Sequence, residues 1–334
     1  VIPNRVVLSP MDDTLGQASG EISPRAIEYY ANKAKGGCGL VIVGYIAVVG
    51  PELGGIAMSG ETQLRSLNDR HAMSILAERV HEYGGKLFCQ LNHPGRKTTP
   101  EYNQGHSPVS ATALPSQMVG KTAPCHELTI DEIHEIEEGF ANGAEHAFKA
   151  GADGVEIHCG HHYLMCQFLN PVRNERTDEY GGSMENRCRI VVETIEKIRE
   201  RVPASFPVTC RIHLFDGEGY EGENTVEDMI EIAKYLESKG VDGFNTTIGS
   251  VDRTGSPEMK AGWRNEYYKQ FKAALNVPIY GPNEVKTPEE AEQFLAEGVY
   301  DFQILGRQQS ADPEWANKAK AGRSEDIRPC ISCN

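Results

Sequence analysis

KAGADGVEIHC, residues 149–159, runs from the end of a helix-like stretch through a glycine turn into a short β-rich segment. The same order recurs in ESKGVDGFNT (237–246) and AEGVYDFQIL (296–305). In each, glycine supplies the left-handed backbone that closes a helix, and the run behind it has little room for charge, as in a buried strand. Working outward, eight β-rich segments can be marked: RVVLSP (5–10), GLVIVG (39–44), KLFCQL (86–91), GVEIHC (154–159), VTCRIH (208–213), GFNTTI (243–248), VPIYG (277–281) and DFQILG (301–306). Between them lie stretches such as SPRAIEYYANKAKGG (23–37), HAMSILAERVHEYGG (71–85) and TVEDMIEIAKYLESKG (225–240), with apolar residues three and four apart and a closing glycine. Eight such units predict an α/β protein folded as a (β/α)8 TIM barrel. A doubly wound sheet is the alternative, but it would not need eight similar units.

Composition narrows the function. The 334 residues carry a formal net charge of −15, which argues against nucleic acid or an anionic membrane as the main partner. Hydrophobic residues make up 39%, no 18-residue apolar span occurs, and the opening VIPNRVVLSPM reads as a strand rather than a secretory leader. The nine cysteines are an odd number and scattered, which suits a reducing cytoplasm better than a disulfide framework.

In a barrel of this kind the C-terminal ends of the strands line the active mouth. That rule sends Met11 and Asp12, Tyr45 to Ala47, Gln90 to Arg96, His158 to Tyr163, Arg211 and His213, Thr247 to Ser250, Gly281 to Asn283, and Gly306 with Arg307 to one place. The connection 92–128 is too rich in Pro, Gly, Ser and Thr for a helix and is expected to fold over the mouth. Residues 153–187 matter most, because a strand there delivers His158, His161, His162 and Tyr163 together, before a long loop and a helix from about Met184. A metal is the competing account of His158, Cys159, His161, His162 and Cys166, but that spacing is too crowded for one tetrahedral centre. A phosphate wants backbone N–H donors and a cation, which the loops YGPNEV (280–285) and ILGRQQSADP (304–313) offer. No GxGxxG follows a strand, so a Rossmann domain is not expected here.

HCGHHYL (158–164), followed by QFLNPVRNERTDEYGGSMENR (167–187), resembles the Old Yellow Enzyme family of FMN-dependent oxidoreductases. The likeness is strongest to its iron–sulfur branch, with 2,4-dienoyl-CoA reductase, trimethylamine dehydrogenase and the enone and bile-acid reductases, and it extends over essentially the whole chain. It implies the same barrel over residues 1–324 and FMN at its mouth. Gln90 and Arg211 would meet the flavin ring, Pro10, Met11 and Ala47 would flank it, and Gly281, Asn283, Gly306 and Arg307 would hold the phosphate. Asp12 and Pro282 depart from the family pattern, and His162 stands where relatives usually have Gly or Ser. The resemblance further implies that His158 and His161 clamp a substrate carbonyl and that Tyr163 donates a proton.

The implied activity is reduction of the C=C bond of an α,β-unsaturated carbonyl compound with electrons from NAD(P)H. The alternative is a flavin-dependent amine dehydrogenase or N-demethylase, against which His158 counts, since the tertiary-amine enzymes have tyrosine there. Val251 stands near the place where dienoyl-CoA reductases carry a histidine, which counts against a dedicated acyl-CoA substrate. Residues 325–334 contain RPCISCN, resembling the start of a [4Fe–4S] motif with Cys330 and Cys333 as its first two ligands. On that reading the chain is the barrel part of a longer cytoplasmic, homo-oligomeric enzyme, preceded by a short segment and followed by further cysteines and by FAD- and nicotinamide-binding domains.

Overall fold

The computed structural model describes residues 1–116, 122–217, 219–248 and 259–333. In chain order the elements begin β1 (Val6–Leu8), α1 (Pro24–Lys35), β2 (Leu40–Ala47), α2 (Leu67–Glu82), β3 (Lys86–Asn92), β4 (Val109–Ser110) and β5 (His126–Glu127). They continue with α3 (Ile130–Lys149), β6 (Gly154–Cys159), α4 (Leu164–Leu169), α5 (Met184–Arg199), β7 (Val208–His213), α6 (Val226–Ser238) and β8 (Phe244–Thr247). The last are α7 (Asn265–Ala274), β9 (Ile279–Pro282), α8 (Pro288–Ala296), β10 (Phe302–Leu305), α9 (Arg307–Ala311) and α10 (Trp315–Lys320). Eight parallel strands close into a barrel in the order β1-β10-β9-β8-β7-β6-β3-β2, while β4 and β5 form a separate two-stranded sheet. This is a (β/α)8 TIM barrel.

Local sequence sets the helix ends. Ser66 with Asp69, Thr129 with Glu132, Thr225 with Asp228 and Thr287 with Glu290 each make a reciprocal capping box. Losing such a hydroxyl costs roughly 1 kcal/mol. Beyond the C-terminal ends of α2 and α6, Gly84 and Gly240 take φ of 77° and 99°, which a side chain would strain.

Side chains of a strand alternate between its two faces, and this sorts the barrel's residues. Leu8, Val41, Val43, Leu87, Cys89, Val155, Ile157, Cys210 and Ile212 point outward into the main core beneath the helices. Val7, Leu40, Ile42, Phe88, Tyr280 and Ile304 form a separate cluster inside the barrel. Each fully buried Leu, Ile or Phe contributes ~1.5–3 kcal/mol. The same alternation turns Gln90, Asn92, Glu156, His158, Thr209 and Arg211 inward, above the apolar plug. Among the described residues no helix is long and apolar enough to cross a membrane.

Candidate active site

At the C-terminal mouth of the barrel opens a cavity of about 770 Å³, within the range of cofactor and substrate sites. One wall carries Pro10, Met11, Asp12, Tyr45 and Gln90, a second His158, His161, Tyr163, Arg211 and Thr247, and a third Arg264, Asn283, Gly306 and Arg307. Lys97, Arg211, Arg264, Lys286 and Arg307 line it against the carboxylates of Asp12 and Glu284, so the cavity is basic in a chain of formal charge −15.

The histidines sit at the end of β6 and in the turn after it. His158 Nε2 and His161 Nδ1 are 3.0 Å apart, so one proton lies between the rings. His158 Nδ1 meets Asn92 Oδ1 at 2.9 Å, and His161 Nε2 meets Thr247 Oγ1 at 3.0 Å. The backbone of that turn is left-handed at His161 and His162, with φ of 52° and 57°. It is held by the His161 N–H, which donates to His213 Nε2 at 2.7 Å. Burial, and then the Arg211 charge, pushes His158 and His161 well below the usual histidine range, so both rings are neutral.

Tyr163 caps α4, its ring 4.9 Å from that of His158 and 5.2 Å from that of Tyr45. Burial pushes its hydroxyl up to about 12, which keeps it a phenol. The Tyr45 hydroxyl donates to Asp12 Oδ2 at 3.3 Å. Asp12 is raised by burial.

Arg211 is buried, with Nη1 donating to the Pro10 carbonyl at 3.2 Å and Nε without a hydrogen-bond partner among the described residues. The anion that such a cation needs stands one strand away. Glu156 is fully buried and accepts from Gln90 Nε2 at 2.7 Å, Asn245 Nδ2 at 3.0 Å and Tyr280 at 3.3 Å. The sequence reading missed Glu156, because GVEIHC reads as a strand with little room for charge. It also missed Arg264, which lies outside every β-rich segment and donates to the Pro282 carbonyl.

Other expectations are placed differently. Gly281 does not line the cavity: between inward Tyr280 and Pro282 it faces out, where a Cβ would meet the Tyr268 hydroxyl at 2.3 Å. Ala47 is likewise off the wall, its N–H donating to the Thr62 carbonyl at 2.9 Å. Of the connection 92–128, Lys97 alone among the described residues lines the cavity, and Thr98 and Asn103 are tied instead to Ile56. Cys330 reaches the cavity rim, where its N–H donates to Gln308 Oε1 at 2.8 Å, while Cys333 is exposed. Ser250 and Val251 lie outside the described residues.

Residues 1–326 match the NADH:flavin oxidoreductase / NADH oxidase family. The chain belongs to that family. It is 40% identical to an NADH oxidase of Thermoanaerobacter brockii, over all of this chain and 51% of that protein. It is 35% identical to a cinnamate reductase of Clostridium sporogenes, over 99% of this chain and 53% of that protein. The solved structure of a 2-naphthoyl-CoA reductase, in complex with 2-naphthoyl-CoA, superposes with a TM-score of 0.92 at 30% identity, covering all of this chain and 52% of that one. The chain thus spans about half the length of these relatives. The flavin oxidoreductase family takes FMN, and the cavity suits it. A buried guanidinium whose Nε has no hydrogen-bond partner among the described residues lines the cavity, and the surplus of cations suits a phosphate.

Proposed function

We propose that this chain is the catalytic barrel of an FMN-dependent ene-reductase, which reduces the C=C bond of an α,β-unsaturated carbonyl compound with electrons from NAD(P)H. The observation that carries the reading is the His158–His161 pair, 3.0 Å apart and neutral, with Tyr163 beside it in the same basic cavity. Bound FMN would supply and accept the hydride. Gln90 and Arg211 are the residues that would hold its ring, and Asn283, Gly306, Arg307 and Lys286 those that would meet its phosphate.

Two neutral imidazoles that both point N–H at one oxygen withdraw density from a carbonyl and make its β-carbon electrophilic. For both to donate, His158 must move its proton from Nδ1, where Asn92 Oδ1 accepts it in the free site, to Nε2. His161 keeps its own on Nδ1, and the substrate oxygen replaces the direct bond between the rings. The surroundings allow this: Thr247 can donate to His161 Nε2, and rotating the Asn92 amide by half a turn would bring its Nδ2 to His158 Nδ1 in place of Oδ1. As placed, that Nδ2 is buried without a partner among the described residues. Tyr163 then delivers its phenolic proton to the α-carbon of the enolate. A hydroxyl held near 12 by burial stays protonated in the ground state and yields to a strongly basic carbanion. Tyr45 links the Tyr163 side of the cavity to Asp12, a path along which that proton can be replaced.

Anaerobic mixing tests the reading. An enone is expected to reoxidise the reduced flavin of the purified protein, with NAD(P)H or dithionite as the initial reductant. If only secondary or tertiary amines change the spectrum, by bleaching the oxidised flavin, the enzyme is an amine dehydrogenase and the clamp assignment is wrong. The same reading extends to the tail: Cys330 and Cys333 would be the first two ligands of a [4Fe–4S] cluster completed by residues beyond position 334. Iron analysis of the full-length protein checks this.

A further inference from the structure

Directly behind the turn that carries His161 and Tyr163, a second cluster gathers from three elements. His162 comes from the turn, Cys166 from α4 and His213 from the end of β7, all three buried. One potential ligand atom of each lies within 4.8 Å of the others. The Cys166 Sγ–His213 Nδ1 separation is 3.7 Å, close to the ~3.6 Å expected between S and N on a tetrahedral ion with bonds of ~2.3 and ~2.05 Å. Asp216 Oδ1 lies 3.0 Å from the same Nδ1 as a neighbouring carboxylate outside that group of three. Its other oxygen is fixed by Asn170 Nδ2 at 2.8 Å and the Asn224 N–H at 3.0 Å, and the His162 carbonyl is fixed by Gln167 Nε2 at 2.7 Å. Such outer contacts are what hold metal ligands in place.

We propose that His162, Cys166 and His213, with Asp216 beside them, bind a zinc-class divalent cation. The residue types decide the class, since thiolate with imidazole selects zinc and its soft neighbours over magnesium or calcium. Charge agrees. One thiolate and one carboxylate neutralise a divalent ion, and two neutral imidazoles add nothing, so the assembly carries no net charge into the interior. Residues 158–166 alone do not show the site, because the third ligand comes from the neighbouring strand, 47 positions beyond Cys166.

The site stands directly against the active one: the His161 N–H donates to His213 Nε2 at 2.7 Å, so an ion that shifts the His213 ring also shifts the turn that holds the carbonyl clamp.

The test uses the flavin-loaded enzyme, with Cys330 and Cys333 replaced by serine so that the exposed tail cannot bind, produced in medium supplemented with cobalt(II) and washed free of loose ion. One cobalt per chain is expected, with a thiolate-to-cobalt charge-transfer band and tetrahedral d–d bands. In Cys166→Ser the charge-transfer band should vanish, and in His162→Gln affinity should fall by more than the ~10–100-fold that loss of an outer partner costs. Retained flavin absorbance and melting temperature certify that both variants fold. A folded parent that holds no cobalt, or a charge-transfer band that survives Cys166→Ser, would overturn the proposal. The spectrum is read on oxidised enzyme without any enone, so it tests the ion site separately from the ene-reductase reading.

Discussion

Asn92→Asp is the sharpest probe of the carbonyl clamp, because it changes one atom and fixes as an acceptor a contact that the amide can make in either direction. His158 Nδ1 lies 2.9 Å from Asn92 Oδ1 in the free site, and the clamp needs the amide rotated so that Nδ2 faces it. An amide can present either a donor or an acceptor to that nitrogen, whereas a carboxylate can only accept. In the variant the neutral ring must carry its proton on Nδ1, leaving Nε2 bare toward the substrate, and one of the two clamp donors is lost. Removal of a single preorganised donor to a developing oxyanion costs ~10²–10³ in rate, or ~2.7–4 kcal/mol. Reoxidation of the reduced flavin by a poorly activated enone, followed anaerobically at pH 8, should slow by that factor, with flavin content and dithionite reduction unchanged. The sign of the pH effect follows. The new carboxylate favours the imidazolium, so the His158 pKa rises from its depressed value, and as pH falls through the raised value Nε2 regains a proton. The variant should recover rate toward acid pH, a limb the parent lacks. A variant as fast as the parent at pH 8, or equally slow at every pH, would refute the tautomer argument.

Tyr163→Phe should leave flavin binding and reduction intact and slow enone-dependent reoxidation by ~10²-fold or more, measured with a substrate whose enolate water protonates poorly. Arg211→Gln removes a buried charge aimed at the ring site and should weaken FMN binding by ~10–100-fold, read by fluorescence titration of the apoprotein. Glu137, fully buried between α3 and α5, is raised by burial to about 9, the charge of Glu193 adding to the effect. Its folded pKa lies above its unfolded one, so stability is full below pH ~4.5 and is lost as pH rises toward 9, by at most ~1.4 kcal/mol per pH unit. Glu137→Gln should therefore raise the melting temperature at pH 8 and leave it unchanged near pH 4.

The barrel was legible because each of its units repeats the same local chemistry. The glycine after the helix and the β-rich run behind it stand in ESKGVDGFNT as in KAGADGVEI, and strand ends that far apart in sequence then share one mouth by topology alone. His158, His161, Tyr163, Gln90, Arg211, Gly306 and Arg307 reach the cavity for that reason. What escaped depends on which face of a strand a residue takes and on what crosses the barrel. Gly281 belongs to the mouth by its place at a strand end, yet the alternation along β9 turns its Cα hydrogens to the helices. Glu156 is satisfied by partners on β3, β8 and β9, and no local pattern signals a carboxylate held by three other strands. Arg264 enters from a loop before α7, where the sequence carries no periodic mark.

The contrast between the basic cavity and the acidic exterior has a kinetic consequence. A free phosphate-bearing cofactor approaches a surface that repels it at long range and is captured only once it passes the rim. Added salt screens the outer repulsion over a Debye length of ~8–10 Å but scarcely reaches charges buried as Arg211 is. Reconstitution of the apoprotein should accordingly speed up with ionic strength while release of the flavin hardly changes, the reverse of the salt signature of an electrostatically steered encounter.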